Sequence, residues 1–507
     1  MMPLVIAPVL IALCAGFLLL FARAGGLSWQ RWLNFGVTAL LALVALWMIE
    51  VSATGVHQVY ASGNWMAPFG IVLVLDRLSA MMVLLTVLLA MGALWYAVAT
   101  KLDEEGPHFH PLFQFLLFGL FGAFLTGDLF NLFVFFEVML LASYGLLLHG
   151  GGRLRTKAGL HYVVLNLVGS TLFLFAVGAL YGAVGTLNIA DIAHRIAGAS
   201  SEREGLIAAA GLLLLIVFGL KAAMFPLYLW LPSAYTHTAA GVAALFAIMT
   251  KVGIYAIIRV HGTLFSEGAG TLSGIHAPWV LALGLITLML GAFGVLAAKT
   301  LREQAAYLVL ASVAVLLVAV GIFNEAALAA THYYMIHSTL VAGGFFLLAD
   351  LIARGRGAVA DRFVSAPHMP GSLLLGGFFF FGAVAAAGMP PLSGFIGKVL
   401  VLSAALDTGW MLAIYAVVLI GSLFIIIALA RAGSLIFYHT QDLCAVDGAK
   451  LNKNALAAVA FLFVASPLMV VFASSVSAFG EASAAQLLDV PRYIEAVLST
   501  PAVGGGQ

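Results

Sequence analysis

Charge is what this chain has least of. Only 8% of its 507 residues are Asp, Glu, Lys or Arg, where a soluble domain carries about 25%, so a water-facing surface cannot be built. The balance of 22 basic against 21 acidic residues leaves no basic face for nucleic acid. Cysteine is nearly absent: Cys14 and Cys444 can form neither a disulfide framework nor a four-thiolate metal site. There is also no GxxxxGKS/T phosphate loop, no HExxH helix and no CxxCH haem attachment sequence. ATP-driven pumping by this chain alone is therefore not expected, and neither is a metal or cofactor.

What fills the chain instead is apolar sequence, 64% of all residues. A helix needs about 20 apolar residues to cross a bilayer, and with no water to satisfy backbone groups such runs must be helices rather than open strands. The reading is an all-α polytopic membrane protein of fourteen transmembrane helices. They are placed near 3–23, 32–53, 72–99, 111–126, 129–149, 159–184, 206–232, 236–260, 278–299, 301–323, 327–350, 372–404, 409–437 and 455–478. No basic residue precedes the first run, which continues directly into Phe21, Ala22 and Arg23, so it reads as a retained helix rather than a cleaved signal. The tail after Phe479 carries Ala485, Leu487, Leu488, Tyr493, Ile494 and Val497 at near-helical spacing, which predicts a surface helix before a loose Gly504–Gly506 end.

Basic residues sort by loop. Odd-numbered loops and their flanks hold Arg23, Arg31, Lys101, Arg153, Arg155, Lys157, Lys299, Arg302, Arg354, Arg356, Arg362, Arg431, Lys450 and Lys453; even-numbered ones hold only Arg77, Arg195, Arg203 and Arg259. Positive charge marks the cytoplasmic side, so both termini are expected outside the cytoplasm.

Four ionisable residues fall inside the helices: Glu137, Lys221, Lys251 and Lys398. Each costs about 2.5–3.5 kcal/mol at a helix centre, which makes such residues functional candidates. Glu137 and Lys221 lie near mid-depth of the fifth and seventh helices and are expected to pair. At 4 Å and an effective dielectric near 20 the attraction is about 4 kcal/mol. A lysine so held keeps its proton, and one separated from the glutamate releases it more easily because burial disfavours charge. That is a proton switch; the plainer alternative is a static pair that only fixes helix packing. Lys251 and Lys398 have no evident acidic partner, and Lys398, nearer a helix end, has snorkelling as its alternative.

Two helices carry interior breaks, at KAAMFPLYLWLP (221–232) in the seventh and GMPPLSGFIGK (388–398) in the twelfth. Proline frees a carbonyl, tolerated at depth only against protein or a wet cavity. Broken helices in corresponding places predict two inverted five-helix repeats. The expected divisions are an N-terminal three-helix segment (1–110), a first repeat (111–262), a second repeat (263–437) and a last helix with its tail (438–507). His337, in THYYMIHST (331–339), suits proton relay because imidazole titrates near neutral pH in water. His237, His332, Asn166 and Thr250 are candidates to line a polar path; Asn131, Asn166, Ser170 and Thr250 serve equally as bonds between helices, and His161 as packing. Asp76 and Arg77, at the outer end of the third helix, read as a cap or an anchor.

Together these features resemble the antiporter-like, proton-pumping membrane subunits shared by respiratory complex I, membrane-bound hydrogenases and Mrp-type cation/proton antiporters. The run GDLFNLFVFFEVMLLASYG (127–145) looks most like the D subunit of the Mrp branch. The resemblance implies a switch of Glu137 and Lys221, a relay through Lys251 and His337, and a terminal Lys398. It further implies a sodium or potassium/proton antiporter assembled with other membrane subunits, in which this chain alone would not transport. Where related subunits often place a lysine shortly after the histidine, this chain has Val341, Ala342 and Gly343. Three rivals remain: a pumping subunit of a complex I-like or hydrogenase-like redox complex, a redox enzyme holding haem or quinone between histidines, and a scaffold.

Overall fold

The computed structural model describes residues 4–441 and 451–499; Cys444, Lys450 and the Gly504–Gly506 end lie outside the described residues. Among these, eleven helices are long and apolar enough to cross a membrane, and four shorter apolar helices accompany them: Ala7–Ala22, Phe109–Leu125, Ser372–Ala387 and Ser393–Ala404. Counting the last two as one broken crossing gives the fourteen spans expected. The seventh span is also broken, into Ser201–Lys221 and Trp230–His237.

Polar residues at the loop ends start several spans by accepting the backbone N–H groups a helix leaves unpaired. Asp76 accepts from Ser79 N, Asp128 from Asn131 N, Thr300 from Glu303 N, Asn324 from Ala327 N and Asn452 from Ala455 N. Each such cap contributes about 1 kcal/mol. This is why the fourth and fifth spans can follow each other so closely: Asp128 both ends the turn and begins the next helix.

Contacts between loops confirm the alternation of the chain. Loops with odd numbers meet one another: Arg31 with Asp103, Arg155 with the His237 carbonyl, Thr300 with Arg362, and Asn452 with the Ala99 carbonyl. Even-numbered loops and the C-terminal helices meet on the other side, where Leu73 bridges Thr126, Asp128 bridges Asn188, and Gln486 reaches the Gly55 carbonyl. The bundle thus has a basic face and an opposite face. The eighth span (Ala240–Leu264) is buried along its length and the third, tenth and eleventh nearly so, whereas the second, sixth and thirteenth are largely open.

Several span ends lie a few residues from the sequence reading, and two segments differ from it in kind. The third span starts at Arg77, not at residue 72, because Val72–Leu75 forms a strand (β2) antiparallel to Gln58–Ala61 (β1). A short apolar run ahead of a helix has no periodicity to separate strand from helix. The tail is not one surface helix. Ala473–Leu488 packs against the eleventh span, where Ser483 bonds His332, and only Val490–Leu498 follows as an amphipathic helix burying Val490, Tyr493 and Val497.

Candidate functional site

In the first half of the chain, the sixth span (Arg153–Val184) stands between the two residues expected to pair. The ammonium of Lys221, buried at the end of Ser201–Lys221, donates to Asn166 Oδ1 at 2.9 Å. Glu137, half-buried on the fifth span, accepts a hydrogen bond from the Ser170 hydroxyl. The two do not form an ion pair among the described residues; this corrects the expected direct contact. Asn166 and Ser170 lie four residues apart, on one face of the helix, so a neutral amide and a hydroxyl separate carboxylate from ammonium by about one helical turn. The Phe136 ring, beside Glu137 in sequence, lies 5.9 Å from Lys221 Nζ. Asn166 is itself anchored by donating to the Tyr162 carbonyl at 2.8 Å.

Lys221 ends its helix because the backbone breaks over the next residues, where Ala223 adopts φ 55°. The Leu220 carbonyl freed by the break accepts from the Trp230 indole at 3.0 Å. Gly253 of the eighth span packs on this break so closely that a Cβ there would overlap the Ala222 backbone. Two residues before it, Lys251 is fully buried, and among the described residues its ammonium has no hydrogen-bond partner. A fully buried, unbonded ammonium is costly to hold, and nothing in the packing of its helix requires one.

The second half gathers His337 and Lys398 at one cavity of about 30 Å³, also lined by Ser312, Tyr334, Ser338 and Ser422. At roughly 10–15 Å³ per molecule, that admits water. Lys398, after the break of the twelfth span, reaches back to the Ala387 carbonyl at 2.7 Å and donates to Ser422 Oγ at 2.8 Å. It is buried rather than snorkelling. His337 Nδ1 lies 2.7 Å from Ser393 Oγ, which is 2.8 Å from Ser466 Oγ on the fourteenth span. Gly394 lets the break approach His337, since a Cβ there would stand 2.8 Å from Nε2.

The other expected residues are scattered. His237 is half-buried at the basic face, bonded to the Ser233 carbonyl at 2.8 Å. His332 bonds the Leu328 carbonyl and Ser483 Oγ, tying the eleventh span to Ala473–Leu488. Thr250, beside Lys251, turns its hydroxyl to the Ala247 carbonyl of its own helix. Sequence reasoning missed Ser393, Ser422 and Ser466, because a lone serine in an apolar run carries no signal of what it faces. It also missed that Asp76, which does cap the third span, pairs with Arg259.

Comparison with known proteins bears on what this arrangement does. The family described as NADH:quinone oxidoreductase/Mrp antiporter, TM, matches residues 126–424. A protein of Rhizobium meliloti (strain 1021), named as the probable D subunit of a K(+)/H(+) antiporter, is 44% identical over 427 residues, covering 80% of this chain and 79% of its own. The D subunit of the Na(+)/H(+) antiporter of Bacillus subtilis (strain 168) is 34% identical over 501 residues, covering 97% of this chain and 99% of its own. A chain in the structure of the Mrp complex from Dietzia sp. DQ12-45-1b superposes with a TM-score of 0.85 at 27% identity, over 98% of this chain and 99% of that one.

Proposed function

The chain belongs to the NADH:quinone oxidoreductase/Mrp antiporter transmembrane family, and from that premise we propose that it is the proton-translocating subunit of a multisubunit antiporter. The complex exchanges Na+ or K+ for H+, is driven by the proton motive force, and works as a secondary transporter rather than an enzyme. The observation that carries the reading is the hold on Lys221: a buried ammonium bound to a neutral amide, with the Glu137 carboxylate bonded to a hydroxyl one turn away on the same helix. A fixed ion pair would be deep and inert. Two neutral intermediaries leave the charges close enough to attract and free enough to change partners.

In this reading Glu137, Lys221, Lys251, His337 and Lys398 pass a proton in steps. Moving Lys221 toward Glu137 fixes its proton; moving it away leaves a charge in a buried setting that favours release toward Lys251. The unbonded amine of Lys251 accepts and donates with little cost in broken hydrogen bonds, and water in the cavity between His337 and Lys398 completes the second half. Asn166 is a direct partner in the switch, whereas His237, His332 and Thr250 bond to backbone or to a neighbouring helix and are assigned packing. The basic face is assigned to the cytoplasm, placing both termini outside a plasma membrane. The segments 111–262 and 263–437 are assigned as inverted repeats, each containing one broken span.

The test uses inverted vesicles holding the whole set of subunits. A proton gradient is imposed, Na+ and then K+ is added, and collapse of the gradient is followed with a pH-sensitive dye. Collapse on addition of either cation, lost in Lys221→Ala with the complex intact, is expected. A wild-type complex that answers to neither cation would refute the antiport reading, and an unimpaired Lys221→Ala would refute the path.

A further inference from the structure

A buried ion pair on the opposite face, outer in the orientation proposed above, is not used by that path. Asp76 Oδ2 lies 2.5 Å from Arg259 Nη2, with the side chains 1% and 5% exposed. Capping the third span does not call for this pair, since an asparagine would accept from Ser79 N as well. Two ions closed off from water cost several kcal/mol each before their attraction is counted. Arg259 stands eight residues beyond Lys251 on the eighth span, and Tyr255 lies between them at the four-residue spacing that puts side chains on one face. The Tyr255 hydroxyl accepts from Arg259 Nε at 3.2 Å and donates to the Phe124 carbonyl at 2.6 Å. Over Ile257–His261 the helix widens to π geometry, a local loosening that recurs at functional sites.

The outer side of the pair is covered by the terminal helix Val490–Leu498. The Tyr493 ring sits 5.8 Å from the Arg259 guanidinium, and His57 meets Tyr493 edge-on at 5.6 Å. The Tyr493 hydroxyl is buried and has no hydrogen-bond partner among the described residues. The charged and titratable groups around Asp76 and its cover are Arg259 and Tyr255 on the eighth span, His57 beside the hairpin, Asp128 at the start of the fifth span, and Arg492 and Tyr493 on the terminal helix with its cap Asp489. His332 on the eleventh span also feels both members of the pair. Burial pushes the Asp76 carboxyl up, and Arg259, the Ser79 N–H and His57 together outweigh it and hold the group below the usual carboxylate range. With Arg259 turned aside, the largest of the opposing influences is gone and burial is the strongest that remains.

We propose that Asp76 is the proton-accepting group at the outer end of the first half, and that Arg259, covered by Tyr493, is the gate that controls it. While the pair is closed, Asp76 is ionised and takes no part. When Arg259 swings away, the unpaired carboxylate takes a proton from the outer solution, forming an O–H bond. That bond then breaks as the proton moves past the Tyr255 hydroxyl to the neutral amine of Lys251, forming an N–H bond, and Asp76 is left to pair again with Arg259. Eight residues span about 12 Å of helix, and Tyr255 stands midway along it. The inference rests on the reading of Lys251 as a proton carrier.

The test is made on the complete complex in right-side-out vesicles, with cation-dependent proton flux measured against outer pH. Asp76→Asn keeps the cap and loses the titrating group: flux at least tenfold lower at every outer pH is expected, with the complex assembled. Asp76→Glu is expected to restore flux with its profile displaced along the outer-pH axis. Tyr255→Phe, which removes one hydroxyl, is expected to slow flux severalfold. Wild-type flux and profile in an intact Asp76→Asn complex would overturn the proposal. So would a Glu variant that lowers flux without moving the profile, the mark of a purely structural role. Should Asp76→Asn fail to assemble, Tyr255→Phe decides, and wild-type flux in it would count against the proposal. Lys251→Ala is run beside them: wild-type flux there removes the underlying path, whereas a silent Asp76→Asn beside a dead Lys251→Ala removes only the gate.

Discussion

Replacing Asn166 by aspartate changes one atom's chemistry at the point where the switch is held. Lys221 donates to Asn166 Oδ1 at 2.9 Å, so the new carboxylate would take over that hydrogen bond, give up the one from Nδ2 to the Tyr162 carbonyl, and add a full negative charge beside the ammonium. At an effective dielectric near 20, two unit charges about 4 Å apart attract by about 4 kcal/mol. Every step in which Lys221 leaves its partner or gives up its proton carries that extra cost, and at about 1.4 kcal/mol per factor of ten the rate falls by roughly a thousandfold. Asn166→Ala, which removes a hydrogen bond to a charged group worth about 1.5–3 kcal/mol, unseats the lysine instead of locking it and is expected to cost less. Both are measured as initial rates of cation-induced gradient collapse in vesicles, with subunit stoichiometry checked in parallel. An intact Asn166→Asp complex running within a few-fold of wild type would refute the switch: Lys221 would then be a fixed packing element whose partner is immaterial.

Further outcomes follow from the second half and from the basic face. Gly394→Ala would push a methyl group against the Ala385 carbonyl and His337; overpacking of this kind costs about 1–3 kcal/mol, and a marked fall in antiport with a lower unfolding temperature is expected. Ser393→Ala strips His337 Nδ1 and Ser466 of a shared partner, a loss of about 1–3 kcal/mol for a buried polar group, and is expected to slow transport about tenfold in the same assay; an unchanged rate would remove His337 from the path. Asp103, in the turn Leu102–Glu104, is pushed up by burial, but bonds from His110 and Arg31 outweigh this and hold it below its ordinary range. Its contribution is therefore complete above the ordinary value near 3.9 and is lost as pH falls through the lowered one. Asp103→Asn should lower the unfolding temperature of the complex at neutral pH and lose less of it on acidification; parallel acid limbs in the two proteins would contradict the pairing.

The span count and the alternation of loops were legible because both rest on repeated signals: twenty-residue apolar stretches and a bias of basic charge. Glu137, Lys221, Lys251 and Lys398 stood out for the same reason, as each breaks a pattern strong enough to show one exception. What lay beyond reach was the identity of neighbours. Equal depth on the fifth and seventh spans implied a meeting of Glu137 with Lys221, but depth does not say which helix stands between, and the sixth does. The Asp76–Arg259 pair joins residues far apart in the chain, and each stands near the end of its span, where a charge reads as a cap or an anchor. Lys251, Tyr255 and Arg259 do share a four-residue spacing visible in sequence, a regularity legible once Lys251 is singled out. The strand Val72–Leu75 was hidden because four apolar residues fit either structure.

The complete burial of the eighth span also bears on how the chain is made. A ribosome delivers this helix, with Lys251 and Arg259 on it, before the tenth and eleventh spans that enclose it and well before the terminal helix that covers Arg259. At about 2.5–3.5 kcal/mol per basic residue exposed to hydrocarbon, the nascent helix is a poor tenant of lipid by itself. Insertion therefore has to keep it in a protein or interfacial setting until synthesis has run through residue 498. The helix Val490–Leu498 is thus the latch on the middle of the molecule, and a ribosome stalled short of it would leave a bundle whose interior is still open.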